Sequence, residues 1–498
     1  MRKEFIFRPF SRIGGDLEIK VLLEGDKVVD SYCSGTVFRG FEDLLKGRSC
    51  MDTLGFVCRI CGVCGVSHSL AAAKALRRIF GVKVPKNGYL CQNIILATEV
   101  ILNQLGHFYL LFAPELANYR YRSFPLYSEV AKRLAAISGT SYQKFINARK
   151  KLLVIMGLLA GKWPNTLALH PGGVTKTVNR SEKIRCLGSL REFQCFVEEV
   201  LIGCDVQSWL ENKSLKDIEK WSIIEKPSQS DLGMFIKFGK EIGLSQLGKG
   251  PGKLLCYNGY DLTHRNSWYK AGFYNGGVYP LDTEKITEEQ TFSWLEGKRA
   301  HPFEGFTKPS IEKKGAYTWS KSPRYLGQVV ETGPLSRLVI NQDPLITDLF
   351  KKSGSNVYSR TLARLHEAII LTWKIGEWIQ QIDPDKPFYN RPGNVVRSRG
   401  EGLIEAARGA LGHWVTVEKG KIKNYQIITP TTWNFSPRDS RGIPGPLEQS
   451  LKDTVVKDPE EPLEVFHIVR SYDPCLFCSV HLSEVKKDNE YKQKNLSL

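Results

Sequence analysis

The chain has 498 residues, of which 42% are hydrophobic and 24% are charged. This composition excludes a disordered or fibrous protein and is typical of a folded chain with a large buried core. A net charge of +18 could indicate a nucleic-acid partner, but the basic residues are scattered and no helix-turn-helix, RNP or zinc-finger pattern accompanies them, so we do not expect nucleic-acid binding.

The hydrophobic pattern predicts long helices and small β elements. Residues 17–38 alternate between apolar and polar side chains and predict a hairpin, which a short helix over 41–46 should follow. Apolar residues recur every three or four positions over 89–118 and 358–382, and this spacing predicts two long helices with broad apolar faces. Residues 412–433 alternate in part and predict a second hairpin.

These elements predict an α+β fold that is mainly α, with a bundle of long buried helices and smaller β hairpins or sheets. We expect residues 1–481 to form one unit. Within it, residues 205–335 are richer in Gly, Lys, Ser and aromatic residues, and they should form a more irregular elaboration. The 17 residues 482–498 are mostly polar and charged, and we interpret them as a C-terminal extension.

Targeting and membrane signals are weak. The first ten residues lack the apolar region of a secretory signal. The most apolar stretch, around residues 100–116, is interrupted by Asn103, Gln104, His107 and Glu115, and a membrane span needs about 20 apolar residues. We therefore expect a cytoplasmic protein with no direct membrane span, which contacts a membrane only through a partner, although export on a partner's signal stays open.

Two CxxC pairs stand near opposite ends of the chain and point to metal chemistry. They are Cys61 with Cys64 and Cys475 with Cys478, among twelve cysteines that are too sparse for a disulfide scaffold. A tight CxxC lets two sulfur atoms converge on one ion, and thiolates favour nickel, zinc or iron. The remaining cysteines are expected to be small buried hydrophobic residues.

The cysteine spacing alone leaves alternatives open. A structural zinc site with four cysteine ligands is the commonest fate of paired CxxC motifs, but structural zinc usually ties nearby segments together, whereas Cys61 and Cys475 are far apart in sequence. A thioredoxin-like redox pair is the other alternative. Neither CxxC follows a strand and opens a helix in a recognisable βαβ unit, which argues against it.

The residues around the cysteines carry a resemblance to a known family. Arg59-x-Cys-Gly-x-Cys-x-x-x-His68 and Asp473-Pro-Cys-x-x-Cys-x-x-His481 closely resemble the two signature motifs of nickel-iron hydrogenase large subunits. The resemblance continues through other segments from end to end of the chain, namely Arg12-Ile13, Phe38-Arg39-Gly40-Phe41-Glu42, Ala407-Arg408-Gly409-Ala410-Leu411-Gly412-His413 and Pro430-Thr431-Thr432-Trp433-Asn434. It implies the long buried helix bundle of that family.

The resemblance implies a bimetallic centre. Cys61 and Cys475 would be terminal nickel ligands, and Cys64 and Cys478 would bridge nickel to an iron that also carries carbon monoxide and cyanide. The implied activity is the heterolytic cleavage or formation of H2. Because H2 has no charge or polar handle, this reaction needs an electrophilic metal and a nearby base, and the thiolate of Cys475 can accept the proton.

Other site residues follow from the same resemblance. Arg408 would lie over the metals with its charge towards a cyanide, and the Thr431 hydroxyl would donate to the other cyanide. Asp473 would pair with Arg408, unless it makes only an Asx-turn before Pro474. His68 would hydrogen-bond the thiolate region. Glu115 would supply an acidic group near Arg408.

The resemblance also implies a second metal and a departure. Glu42, His481 and the carbonyl of Ile427 match the family's buried Mg²⁺ site, with waters completing an octahedral shell. Gly14 stands where most relatives have a glutamate that relays protons from the terminal cysteine. Glu18 lies four residues further along the predicted strand, too far to substitute, so a water, Glu115 or another acid would have to serve.

The expected partners follow from what this chain lacks. It has no iron-sulfur cluster motif beyond the cysteines assigned above, so electrons would pass to clusters in a separate small subunit. The resemblance further implies nickel-insertion proteins and an endopeptidase that removes residues 482–498, which makes this chain an unprocessed precursor. Two alternatives stay open: a hydrogen-sensing regulatory hydrogenase and a non-catalytic zinc-binding protein. A third, an electron-transfer scaffold like the quinone-reducing subunit of respiratory complex I, is disfavoured because that relative lacks the paired cysteines.

Overall fold

The computed structural model of the chain describes residues 2–479, with the backbone alone described at Cys478 and Ser479. The predictions for His481 and for the extension 482–498 therefore lie outside the described residues.

The strands form small antiparallel sheets with the orders β1-β2-β3, β4-β5, β10-β9-β6, β7-β8, β11-β12 and β13-β14-β15. Their bounds are β1 Arg2–Phe7, β2 Leu17–Glu24, β3 Lys27–Gly35, β4 Leu169–His170, β5 Gly173–Val174, β6 Leu254–Cys256, β7 Gly259–Asp261, β8 Ser267–Tyr269, β9 Gly272–Tyr274, β10 Val278–Tyr279, β11 Ile286–Glu289, β12 Ser322–Tyr325, β13 Arg397–Ala406, β14 Gly409–Glu418 and β15 Lys421–Ile428.

Helices make up most of the core. Their bounds are α1 Phe41–Leu44, α2 Thr53–Val57, α3 Gly65–Phe80, α4 Lys86–Gly106, α5 Tyr127–Leu134, α6 Thr140–Ala160, α7 Arg180–Phe196, α8 Val206–Leu210, α9 Leu215–Trp221, α10 Glu225–Gln229, α11 Asp231–Glu241, α12 Pro334–Ile340, α13 Pro344–Ser353, α14 Val357–Gln381, α15 Pro430–Asn434, α16 Pro446–Leu451, α17 Leu463–Ser471 and α18 Leu476–Ser479. Shorter helices are the π-helices His107–Phe112 and Val197–Ile202 and the 3-10 helices Cys50–Asp52, Ala113–Ala117, Tyr119–Tyr121, Leu244–Gln246 and Thr283–Lys285.

The two long predicted helices, α4 and α14, pack against each other in the centre. α14 begins at a capping box, in which Asn356 accepts from the Ser359 N–H and the Ser359 hydroxyl accepts from the Asn356 N–H. The continuous helical segment Lys86–Ala117 is long and apolar enough to cross a membrane, but 83% of its apolar window is buried inside the protein. It is therefore well explained as a core helix.

Helix α3 lies directly on strand β13, and two glycines make this approach possible. A Cβ atom at Gly402 would collide with the carbonyl oxygen of Ala71, and one at Gly400 would lie 2.5 Å from that of Ala75. The close packing fixes the axis of α3, and so it fixes the position of the Cys61–Cys64 turn at its N-terminal end.

Both predicted hairpins are present in the structure, with somewhat different bounds. The hairpin over 17–38 is β2 and β3, and β1 extends it to a three-stranded sheet. The second predicted hairpin is β14 and β15, but it ends at Ile428, because Pro430 opens α15. Residues 205–335 contain short helices and two- to three-stranded sheets.

Candidate metal centre

Three of the four predicted cysteine ligands meet in the interior. Cys61 lies in the turn between α2 and α3, Cys64 caps the N-terminus of α3, and Cys475 lies between α17 and α18. Their sulfur atoms lie within 4.8 Å of one another, with Cys61 Sγ 3.4 Å from Cys475 Sγ, and all three residues are buried. We call these residues the thiol cluster. Cys478 follows in α18, but its side chain is outside the described part of the chain.

Helix α4 holds the Cys61–Cys64 turn through two side chains one turn apart. The buried Glu99 carboxylate accepts hydrogen bonds from the N–H groups of Val66 and Ser67 at 2.8 and 2.9 Å, and from the Ser67 hydroxyl and the Trp163 indole at 2.7 and 3.1 Å. Asn103 donates to the carbonyl of Val63 at 2.9 Å. Cys64 is thus anchored on both sides.

The N-terminal segment holds Cys475 in place. Gly14 forms an isolated β-bridge with Cys475, in which the Gly14 N–H donates to the Pro474 carbonyl at 3.3 Å and the Leu476 N–H donates to the Gly14 carbonyl at 2.5 Å. A Cβ atom at Gly14 would lie 3.3 Å from Cys475 Sγ. Position 14 therefore faces the thiol itself, and in this chain it brings no side chain there.

Arg408 lies beside the thiol cluster and is held by three contacts. Its Nε donates to the Asp473 carbonyl at 3.0 Å, its Nη1 donates to Asn103 Oδ1 at 3.2 Å, and its Nη2 lies 3.0 Å from Asp473 Oδ1. Burial alone would lower the pKa of this guanidinium, but Asp473 and the three thiols raise it well above its ordinary value. Arg408 is therefore a fixed cation at the edge of the cluster.

Asp473 and Thr431 contact this region from two sides. Burial would raise the pKa of Asp473, but Arg408, His107 and Arg364 hold it below its usual value, so the carboxylate is ionised. Asp473 has φ +55°, a left-handed conformation that Asp tolerates. The Thr431 hydroxyl accepts from the Cys475 N–H at 3.1 Å.

His68 is a neutral buried histidine. Burial lowers its pKa to about 4, although Cys61 opposes this shift. Its Nδ1 lies 3.0 Å from His413 Nε2, and His413 Nδ1 lies 2.7 Å from the Tyr425 hydroxyl. The structure thus places His68 near the thiol cluster, in a chain of polar rings.

A second buried polar cluster surrounds Glu42. Glu42 Oε1 accepts from the Ile427 N–H at 2.8 Å, Lys321 Nζ lies 3.2 and 3.1 Å from its two oxygens, and the Thr307 hydroxyl contacts Oε2. Lys321 Nζ also lies 3.7 Å from Glu288 Oε2. We call Glu42, Glu288, Thr307, Lys321 and Gln426 the Glu42 cluster. The prediction of Ile427 concerned its carbonyl, whereas its contact with Glu42 runs through its N–H.

Comparisons with known proteins agree with one another. The profile of the nickel-dependent hydrogenase family matches residues 39–120 and 116–481. The chain belongs to this family.

Relatives match over almost the whole length of this hydrogenase chain. The periplasmic [NiFeSe] hydrogenase large subunit of Desulfomicrobium baculatum is 29% identical over 97% of this chain and 96% of its own. The quinone-reactive Ni/Fe-hydrogenase large chain of Wolinella succinogenes is 26% identical over 99% and 98%. The Ni-Fe-Se hydrogenase of D. vulgaris Hildenborough in the reduced state superposes with a TM-score of 0.83 at 29% identity, over 97% of this chain and 100% of its own.

These matches confirm the predicted family, the α+β fold and the enzyme class. The chain is the catalytic large subunit of a nickel-iron hydrogenase. Such large subunits pair with a small subunit, and the nickel dependence of the family agrees with the gathered thiols of Cys61, Cys64 and Cys475.

Glu115 forms ion pairs with two arginines. Its Oε1 lies 2.6 Å from Arg470 Nη1 and also contacts Arg12, whereas the neutral Asn103 accepts from Arg408. The π-helix His107–Phe112 lies between α4 and Glu115 and changes the number of residues per turn there. The expectation that Glu115 supplies an acidic group near Arg408 stays a prediction.

Sequence reasoning missed several residues around the site. Glu99 and Asn103 hold the cysteine turn, and Glu288 and Lys321 complete the Glu42 cluster. A signal for the first pair was available, because both are polar residues in a largely apolar stretch of α4 and lie four positions apart on one face. No signal linked Lys321 to Glu42, since the two come together only through the tertiary fold.

Proposed function

We propose that Cys61, Cys64 and Cys475, together with Cys478, hold a nickel-iron centre whose iron carries carbon monoxide and cyanide, and that Cys61 and Cys475 are the terminal nickel ligands. The observation that carries this assignment is the convergence of three buried sulfur atoms from opposite ends of the chain. When bound, the centre supplies the electrophile for H2 heterolysis and accepts the electrons. These electrons leave through iron-sulfur clusters of the small subunit.

The protein's own groups position and balance this centre. Arg408 brings a positive charge that cannot be lost at neutral pH, and its contacts with Asp473 and Asn103 fix the direction of the guanidinium. This charge suits an anionic ligand such as cyanide. The hydroxyl of Thr431, which accepts from the Cys475 N–H, keeps its own proton available for a second such ligand.

Cys475 Sγ is the proposed base for the proton from H2. The next acceptor differs from the family pattern, because position 14 faces this sulfur with no side chain. Glu115 is engaged by Arg470 and Arg12, and Glu18 lies 3.6 Å from Arg8. We therefore assign the first transfer from Cys475 to a water molecule rather than to a carboxylate of the chain.

The activity test uses the complex of this chain with its small subunit. We expect H2-dependent reduction of a viologen dye, and we expect the variant Cys61→Ser to abolish it by removing a metal ligand. Cys58→Ser is the matched control, because Cys58 is buried three residues away but lies outside the thiol cluster. Equal loss in both variants, or H2 oxidation that survives Cys61→Ser, would contradict the assignment.

A divalent cation, Mg²⁺ in the first place, is proposed at Glu42. The Glu42 cluster has two carboxylates and one ammonium, and Glu288 Oε1 is buried without a hydrogen-bond partner. This excess of acceptor oxygen suits a hard cation, with His481 and the Ile427 carbonyl as the other proposed ligands. We expect one Mg²⁺ per chain by metal analysis, lost in Glu42→Gln but kept in Glu448→Gln, which alters a buried carboxyl elsewhere.

Maturation and location complete the proposal. We propose that nickel-insertion proteins load the centre and that an endopeptidase then removes residues 482–498. Intact mass of the active chain should show the loss of these 17 residues, and an active chain that retains them would refute it. The expected cytoplasmic location, or attachment to a membrane through a partner, is tested by cell fractionation.

A further inference from the structure

A small polar cavity lies behind Arg408, between α12, α14 and the segment that leads to Cys475. Glu331, Thr332, Arg360, Arg364 and Arg408 are among the residues that line it. It leaves about 10 Å³ for the centre of a water-sized group, which is room for one such group. Three guanidinium groups therefore share the wall of a space that a single small ligand would fill.

Two of the three arginines already have a carboxylate partner. Arg360 pairs with Glu331 through Nε at 2.8 Å and Nη2 at 3.2 Å, and Arg408 pairs with Asp473 at 3.0 Å. Their charges are balanced locally, so neither needs an additional anion.

Within the described residues Arg364, the third arginine, has no carboxylate partner of its own in an ion pair. It is 2% exposed, and its Nη2 donates to the Ser471 carbonyl at 3.1 Å. Its Nε and Nη1 have no hydrogen-bond partner, and across residues 2–479 no carboxylate lies within ion-pair distance of its guanidinium. The Thr332 hydroxyl, also on the cavity wall, is likewise buried without a partner. Burial lowers the pKa of Arg364 to about 10. Asp473 opposes this shift, whereas Arg408, Arg337 and Arg360 add to it, and Arg364 stays charged at neutral pH.

Around this cavity Arg360, Arg364 and Arg408 share two carboxylates, Glu331 and Asp473, so one buried positive charge is left over. Such a charge costs several kcal/mol, and the unpaired N–H groups of Arg364 add to that cost. A water molecule would satisfy the N–H groups but leave the charge. A monovalent anion both accepts hydrogen bonds from these N–H groups and balances the charge. The cavity has room for the centre of one small group, which suits a monatomic ion better than phosphate, sulfate or a carboxylate.

We propose that this cavity is a halide site, in which a chloride ion accepts hydrogen bonds from Nε and Nη1 of Arg364 and from the Thr332 hydroxyl. The site is separate from the thiol cluster and needs no metal for its formation. Because Arg408 lines the same cavity, the ion contributes to the electrostatic field at the residue that borders the metal centre.

The test is anomalous diffraction from crystals of the complex with its small subunit. One set is purified in chloride and measured at long wavelength, where chlorine itself scatters anomalously, and the other is purified in bromide and measured at the bromine edge. We expect a peak in the cavity within hydrogen-bonding distance of Arg364 in both sets. An absent peak in both, with only water density in the cavity, overturns the proposal.

Two variants sharpen the result. Arg364→Met removes the charge at similar length and should abolish the peak, whereas Thr332→Val keeps the charge and should retain it at lower occupancy. A peak that survives Arg364→Met would also overturn the assignment. If Arg364→Met fails to fold, the two wild-type maps decide alone, and neither result depends on whether nickel is bound.

Discussion

The thiol cluster and the Glu42 cluster are both buried, but they balance their charge differently. In the Glu42 cluster the ammonium of Lys321 lies against both oxygens of Glu42. The cation beside the thiol cluster, Arg408, is already paired with Asp473. Three thiols that lose their protons would therefore lack an equal internal counter-charge, and this is the condition in which a protein favours a bound metal ion. In the Glu42 cluster Lys321 balances one of the two carboxylates, so a bound cation would have only the second to balance.

The largest expected effect is on stability and comes from Lys321, the buried cation of the Glu42 cluster. Lys321→Met removes the ammonium and leaves Glu42 and Glu288 facing each other, which should lower the free energy of unfolding by about 3–5 kcal/mol. Thermal denaturation with and without added Mg²⁺ measures the effect, and Mg²⁺ should recover part of the loss. The control Lys308→Met removes an exposed lysine that pairs with Glu296. If Lys321→Met costs no more than this control, the charge balance described for the Glu42 cluster is wrong.

The second largest effect is expected on H2 oxidation, from Arg408 beside the thiol cluster. Arg408→Lys keeps the charge but cannot make the three contacts to Asp473 and Asn103, so H2 oxidation should fall about 100- to 1000-fold while nickel content is unchanged. The turnover rate and the nickel content of the same sample test this. Arg180→Lys, at an exposed ion pair, should have no effect. Full activity in Arg408→Lys would show that the direction of the guanidinium is irrelevant.

A pH effect should follow from Glu99, which holds the cysteine turn. Burial raises the pKa of this carboxyl from 4.5 to about 7, although its hydrogen bonds oppose the shift. The folded state then binds the proton more tightly than the unfolded state, so the stabilising contribution of Glu99 is present below pH 4.5 and is lost as pH rises through 7. The total change is at most about 3 kcal/mol.

Glu99→Gln cannot titrate, so its melting temperature should fall less than that of the wild type between pH 5 and pH 8. Glu129→Gln, at an exposed carboxyl, is the control and should keep the wild-type slope. An unchanged slope in Glu99→Gln would mean that its hydrogen bonds outweigh its burial.

The smallest effect is expected at Gly14. Gly14→Glu places a carboxylate next to Cys475 Sγ and should increase the rate of hydrogen-deuterium exchange several-fold if proton departure limits it. The contact is tight, because a Cβ atom would lie 3.3 Å from the sulfur. Gly14→Ala introduces the same Cβ without the acid and separates crowding from proton transfer. A faster exchange rate in Gly14→Ala but not in Gly14→Glu would show that the added carboxylate does not relay the proton.

The two clusters also differ in how far the sequence predicted them. The thiol cluster could be predicted because CxxC spacing and the flanking Arg59, His68 and Asp473 are local signals. The Glu42 cluster could be predicted only in part, since Lys321, directly before β12, reaches Glu42 in α1 only through the tertiary fold. Helices α4 and α14 followed from periodicity, whereas the π-helix after α4 has no such signal.

The most direct test of the nickel-iron assignment is metal analysis combined with infrared spectroscopy on the purified complex, with Cys475→Ser beside the wild type. The wild type should contain one nickel per large subunit and show carbon monoxide and cyanide bands, and Cys475→Ser should lose the nickel while remaining folded. Zinc in place of nickel, with no such bands, would contradict the account.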